Sequence, residues 1–313
     1  MGTRNHWWIA VALGAAVLAA GACSRAGKSQ KLEIVLVTKA LDSEFWQRIK
    51  SGAEEAARAD SGVSLAVLAP AQEINIDQQV SILEDQILKR VSALAVSPAG
   101  VAEIVPVLDR ARAAGIPVVI VDTDVPWAYR ASFVGIDNRL GGRIAGEYIL
   151  KAIGGKGKVA VIRGVLGVAT QEDRLTGFRE AMASSPGVEL VAVQPANSER
   201  ALGMQVMENM LTSHPDVKAV FGTNDQMALG AMQALEARHL TGKIVLVGFD
   251  ATREALRAIQ AGAMNAVMAQ YPERIGKRAI EEAIKAARGQ PVEKRIDIGT
   301  TLVTKDNVSQ FLQ

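Results

Sequence analysis

Cysteine is almost missing from this chain: among 313 residues there is one, Cys23. A lone cysteine excludes an internal disulfide, and nothing around it offers thiol chemistry a context. Aromatic residues make up only 4%, so a ring that packing does not require is a candidate for a binding surface. The formal net charge is +2 and no block of Lys or Arg occurs, which argues against nucleic acid as a partner. There are three histidines; His6 falls in the leader, and His214 and His239 fall at expected helix ends. The patterns G-x-x-x-x-G-K-[ST], H-E-x-x-H and G-x-S-x-G are absent, and Gly141-Gly142-Arg143-Ile144-Ala145-Gly146 lacks dinucleotide spacing. The chain is therefore not expected to be an enzyme, and neither a cofactor nor a metal ion is expected. What is abundant is apolar: 49% of residues are hydrophobic, enough for two cores in a chain long enough for two domains.

The leader stands apart from the fold. Arg4 precedes an apolar and small-residue run from Trp7 to Ala22, and Cys23 follows Ala20-Gly21-Ala22. This resembles a bacterial lipoprotein signal, which implies lipidation of Cys23, although Ala20 stands where such signals favour Leu. The run falls short of the roughly 20 residues a spanning helix needs. Residues 1–23 are thus expected to be a signal peptide and residues 24–30 a polar tether, with the rest held at a membrane by lipid.

From Lys31 onward, short β-branched runs alternate with amphipathic ones. Ile34 to Val37, Leu65 to Leu68, Ala93 to Val96 and Val118 to Val121 read as strands. Between them Phe45 to Ala59, Gln78 to Lys89 and Val101 to Ala114 read as helices. After Gly154-Gly155-Lys156-Gly157 the pattern restarts: Val159 to Ile162, Leu190 to Val193, Ala219 to Phe221 and Ile244 to Gly248 are strands, with helices at Arg174 to Ala183, Ala201 to Thr212, Met227 to Arg238 and Arg253 to Ala261. Ala266 to Ala269, helix Glu273 to Arg288 and strand Arg295 to Ile298 complete the series. Such βαβ alternation predicts parallel sheets covered on both faces, in two lobes with a cleft between them.

In open parallel sheets ligands sit beyond the carboxyl ends of the strands, so ligand contacts are expected at those ends. The first ends at Thr38-Lys39 and leads to Asp42, Ser43, Phe45 and Trp46. A helix cannot aim two adjacent rings into one core, so one of them is expected to face the cleft. The fourth ends in Asp122-Thr123-Asp124, where a carboxylate can accept from adjacent hydroxyls. Arg174 is expected to open its helix, where the dipole disfavours a cation, which implies that it is aimed at something. Asn224 and Asp225 follow another strand; Asp225 is expected to cap the helix and Asn224 to meet a ligand. Asp250 and Gln270 occupy equivalent places. The set has a formal charge near zero, which suits a neutral guest rich in hydroxyls.

Four segments carry a family resemblance: Ser132 to Gly146, His214 to Ala231, Val247-Gly248-Phe249-Asp250, and Ala269-Gln270-Tyr271-Pro272-Glu273-Arg274-Ile275-Gly276. Through them the chain, from about Lys31 to Thr304, resembles the periplasmic ribose-type sugar-binding proteins, solute receptors of ABC importers. The resemblance implies an α/β fold of type I: two Rossmann-like lobes with parallel sheets joined by a three-crossover hinge. The crossings fall near Gly135 to Asp137, Ala269 to Gln270 and Gly299. The lobes would comprise residues 31–136 plus 270–298, and 137–269 plus 299–313. It further implies ligand contacts at Ser43, Phe45, Trp46, Asp122, Arg174, Asn224, Asp250 and Gln270. Lys39, Ser43, Thr123 and Ser198 depart from the ribose pattern, which had a small hydroxyl residue, an amide, an arginine and an aromatic there. Lys39 and Thr123 thereby join the candidate set, and the departures point to another pentose, hexose, polyol or sugar acid. The implied partners are an ABC permease with its ATPase subunit, and the implied state is a monomer in the periplasm or cell envelope. A receptor feeding a sensor kinase or chemoreceptor is the alternative.

Overall fold

The computed structural model describes residues 31–312; Cys23 and the leader lie outside them. In chain order the elements are β1 (Leu32–Val37), α1 (Glu44–Arg58), β2 (Val63–Leu68), α2 (Ile76–Leu88), β3 (Ala93–Val96), α3 (Val101–Ala113), β4 (Val118–Val121) and β5 (Ser132–Gly135). Then follow α4 (Asn138–Ala152), β6 (Gly157–Arg163), α5 (Ala169–Ala183), β7 (Val188–Pro195), α6 (Arg200–Ser213), β8 (Val217–Gly222) and α7 (Asp225–Ala237). The series closes with β9 (Val245–Asp250), α8 (Arg253–Ala261), β10 (Ala266–Ala269), α9 (Pro272–Ala287), β11 (Arg295–Asp297) and β12 (Thr301–Thr304). The expected strand and helix types hold, while β5, α4 and β12 were not read as elements from periodicity.

These strands form two six-stranded sheets, ordered β2-β1-β3-β4-β5-β11 and β7-β6-β8-β9-β10-β12. All pairings are parallel except that of β12 with β10. The two α/β lobes are joined by three crossovers: from β5 to α4, from β10 to α9, and from β11 to β12. Strands such as β3 and β4 are buried at every residue, because helices cover both faces and leave no solvated side to favour alternation. In each sheet the order reverses beside the first strand, and the crevice created there opens at the carboxyl ends.

Two helix pairs fix the frame of the cleft. In α1 and α9 a Cβ on Gly52 would lie 2.0 Å from the Glu273 carbonyl oxygen. In α4 and α5 a Cβ on Gly142 would lie 2.0 Å from the Arg174 carbonyl oxygen. Backbones this close tolerate no side chain, so the helices cannot slide on one another. A buried glutamine ties the first lobe's strand ends together: Gln79 Nε2 donates to the carbonyls of Thr38 (3.0 Å) and Ser97 (2.9 Å), and its Oε1 accepts from Ala99 N (2.8 Å). The sequence pattern put Val80, Leu83 and Ile87 on the buried face of α2. In the structure that face is Gln79, Leu83 and Gln86, and neighbouring carbonyls give Gln79 partners inside.

Candidate functional site

A cavity of about 250 Å³ lies where the carboxyl ends of the two sheets face each other, walled by residues of both lobes. It approaches the lower end of the range of small-molecule sites, about 300–1,000 Å³. Eight of the ten sequence-selected pocket residues line it: Lys39, Ser43, Phe45, Trp46, Asp122, Arg174, Asn224 and Asp250. Thr123 and Gln270 stand behind the wall and hold the two acids. Thr123 Oγ1 donates to Asp122 Oδ2 (2.8 Å), and Gln270 Nε2 donates to Asp250 Oδ1 (2.5 Å).

On the first lobe, Lys39 is 2% exposed, its Nζ 3.7 Å from Asp122 Oδ2 and 5.2 Å from the centre of the Trp46 ring. Asp122 takes a left-handed backbone (φ 61°) as it leaves β4, a conformation that costs energy and concentrates at functional sites. Its Oδ1 is buried without a hydrogen-bond partner. Phe45 and Trp46 are both buried and both reach the cavity, edge to face at 5.0 Å. The helix pattern predicts one ring at the cleft and the family resemblance both; the structure brings both to the cavity wall. The indole Nε1 donates to Glu73 Oε1 (2.8 Å), leaving Glu73 Oε2 buried and unpartnered.

On the second lobe, Arg174 lies in the second turn of α5, because that helix starts at Ala169 and not where the sequence placed it. It is aimed inward all the same. Its Nε donates to Asn138 Oδ1 (2.9 Å) and Nη1 to the Thr223 carbonyl (2.7 Å). The guanidinium lies 3.7 Å from the centre of the Phe249 ring and 3.8 Å from Asp250 Oδ1. Burial lowers its pKa, and Asp250 and then Asp122 oppose that shift. Asp250 is pushed up to about 7, chiefly by burial, with Arg174 and the Gln270 amide opposing.

Asn224, not Asp225, caps α7: its Oδ1 accepts from Met227 N (2.9 Å). Its Nδ2 donates to the Ser198 carbonyl (3.3 Å), so one amide serves helix and wall together. Asp225 is fully buried and accepts from Thr252 N (2.7 Å) and Thr252 Oγ1 (2.9 Å). Burial, then the nearby Asp250, raises its pKa well above that of an ordinary carboxyl.

Two stretches of the wall lay outside the candidate set: Gln72 and Glu73 after β2, and Asn197 to Arg200 leading into α6, where only Ser198 had been marked, as a departure from the ribose pattern. Both follow strand ends, so the rule used for the other strands would have found them. Asn197 and Ser198 also have positive φ (48° and 65°), but only the fold reveals that. With these loops the wall holds the carboxylates of Asp42, Glu73, Asp122, Glu199 and Asp250 against the cations of Lys39, Arg174 and Arg200. The near-neutral charge inferred from the sequence is therefore corrected to an excess of acid. Burial, and next the charge of Glu73, raises the pKa of Asp42, and Arg200 is already engaged by both oxygens of Glu254 (2.8 and 2.6 Å). Among the described residues no group of His, Cys, Asp or Glu is arranged to hold a metal ion.

A family model described as "Periplasmic binding protein domain" matches residues 34–291. The ribose import binding protein of Escherichia coli is 34% identical, over 92% of this chain and 96% of its own length. The D-allose-binding periplasmic protein of the same organism is 33% identical over 84% and 88%. Among solved structures, an ABC transporter solute binding protein from Agrobacterium vitis with bound D-fucose superposes with a TM-score of 0.87, at 28% identity over 89% of this chain and 97% of that one. One from Bacillus halodurans with bound myo-inositol gives 0.85, at 28% identity over 90% and 98%.

Proposed function

The chain belongs to the periplasmic binding protein family, and on that premise we propose that it is the extracytoplasmic sugar receptor of an ABC-type importer, closing its lobes on one uncharged monosaccharide or cyclitol. The observation that carries the reading is Asp122 Oδ1, a carboxylate oxygen buried in the cavity wall with nothing to accept. An unpartnered buried acceptor costs about 1–3 kcal/mol, and more when charged. A hydroxyl of the guest would satisfy it, with Lys39 donating to a neighbouring oxygen and the Trp46 and Phe45 rings against the apolar face of the sugar. Arg174, Asn224 and Asp250 meet the guest from the second lobe, while Thr123 and Gln270 orient the acids.

The relatives named above carry ribose, allose, fucose or myo-inositol in their names, all uncharged and polyhydroxylated. The acid excess of this wall opposes an anionic guest, so sugar acids drop out of the candidates that the sequence left open. Three of those relatives are named as import or ABC transporter proteins, and the importer reading is adopted over the sensor receptor. The permease and its ATPase subunit are then the protein partners, the receptor is a monomer, and lipid on Cys23 holds it at the membrane.

The test is a thermal-shift and calorimetric panel of D-ribose, D-allose, D-fucose, myo-inositol and D-glucuronate. A neutral ligand at 100 times its Kd stabilises by about 2.7 kcal/mol; glucuronate should give no shift. Asp122→Ala should weaken the best neutral ligand by two orders of magnitude or more while unfolding stays cooperative. Unchanged affinity would remove Asp122 from the role given to it.

A further inference from the structure

Outside the cavity, a small polar cluster bridges the two lobes. Among the described residues, every hydrogen bond that joins the lobes away from the crossovers involves Glu44 or Arg48 of α1. Both oxygens of Glu44 accept from Arg253 N, at 3.1 and 3.0 Å. Arg253 is the first residue of α8, so its N–H is one of the donors a helix cannot satisfy internally. A carboxylate there gains both a charge-assisted hydrogen bond and the helix dipole. Thr252 caps the same helix only loosely, with Oγ1 3.4 Å from Ala255 N. Glu44 thus supplies, from the opposite lobe, a cap that α8 lacks when the lobes part.

Arg48, one turn further along α1, donates to the Ala251 carbonyl (3.4 Å) and pairs with Glu44 (3.9 Å) and with Glu273 of α9. Because α1 and α9 meet at backbone distance at Gly52, this cluster sits on a rigid base. What it holds is the segment after β9, where Asp250 and Ala251 have φ of 123° and 60°. Asp250 lines the cavity, whereas Glu44 and Arg48 do not.

We propose that Glu44 and Arg48 form a clasp that favours the closed protein irrespective of the guest and so sets the affinity for every ligand by a common factor. They are positioning residues: they act on the α8 start and through it on Asp250, never on the sugar. The contacts exist only with the lobes together, so they raise the closed fraction of the ligand-free protein. Apparent Kd is the intrinsic value divided by that fraction. Losing the clasp weakens all ligands alike and leaves their ratios untouched. The inference rests on the receptor reading for its ligands, but not for the clasp itself.

A salt signature follows. The carboxylate, the guanidinium and the helix end are partly exposed, with side-chain exposures of 31% for Glu44 and 33% for Arg48, so ions screen them. Affinity for a neutral sugar has otherwise no reason to depend on ionic strength.

The experiment compares wild type, Glu44→Ala and Glu44→Gln in calorimetry with D-allose, D-ribose and myo-inositol at low and high NaCl, and in small-angle scattering without ligand. Glu44→Ala should raise the Kd of each sugar that binds by the same factor, about 5- to 30-fold. It should also abolish the wild type's loss of affinity in salt and enlarge the ligand-free radius of gyration, with Glu44→Gln intermediate. Unchanged Kd values, or a shift for one sugar and not another, would overturn the clasp. If wild type binds none of the three, the receptor reading falls for these sugars. The scattering then decides alone: an unchanged radius of gyration in Glu44→Ala refutes the clasp, and a larger one upholds it.

Discussion

At the scale of the residue, the pocket is built from groups placed against their own preferences. Asp122 and Asp250 have left-handed or strained backbones, Arg174 is a cation out of water, and burial raises the pKa of both Asp225 and Asp250, with the Asp250 charge adding to the first and the Asp122 charge to the second. This gives a pH dependence whose sign is fixed. Both acids titrate above the ordinary carboxyl value of about 3.9 that they regain on unfolding, so the native state holds protons the unfolded chain has released. Their contribution is fully present below about pH 4; that of Asp250 is lost as pH rises through about 7, and that of Asp225 as pH rises through its own raised value. The melting temperature of the ligand-free protein should therefore fall between pH 5 and pH 8. The slope is at most about 1.4 kcal/mol per pH unit for each proton, and Asp250→Asn should flatten it. A melting temperature that rises across that interval would contradict the assignment. Asp122, Arg174 and Asp250 were visible in the sequence because each follows a strand end or offends a helix rule. The cap exchange between Asn224 and Asp225 was not, because both residue types cap helices and only the presence of Thr252 beside Asp225 separates their roles.

At the scale of the element, helix pairs do the positioning. Arg174 reaches Asn138 and Thr223 because α5 lies against α4 with no side chain between them. A Cβ on Gly142 would strike the Arg174 carbonyl, and one on Gly177 would lie 1.9 Å from the Arg139 carbonyl oxygen. Gly142→Ala should thus part the pair, cost about 1–3 kcal/mol in urea unfolding, and weaken sugar binding through displaced Arg174. Full stability in that variant would show that the helices can yield. The strands and most helices were legible from apolar period. β5 (Ser132-Phe133-Val134-Gly135) and β12 (Thr301-Leu302-Val303-Thr304) were not, because each holds two apolar residues between small or polar ones, whereas β3 and β4, of the same length, are apolar throughout.

At the scale of the whole molecule, the chain visits each lobe more than once, so neither lobe is a continuous stretch. The first needs α9 and β11, which arrive after five of the second lobe's six strands, and the second needs β12, which arrives last. Residues 31–136 expressed alone should fail to fold cooperatively, since the α1 face that packs on α9 would be left in water. Joining residues 270–298 through a flexible linker should restore a cooperative transition in circular dichroism, and a stable fragment without them would refute the dependence.

The sequence by itself determined the α/β class, the two-lobed repeat and the strand ends from which a pocket could be built, because apolar period and turn chemistry are local properties. Only the tertiary structure decided that Glu73 and Glu199 make the wall acidic and that Glu44 reaches Arg253. Those outcomes depend on which loops from distant parts of the chain come to face one another, and no local pattern records a contact made across 209 residues.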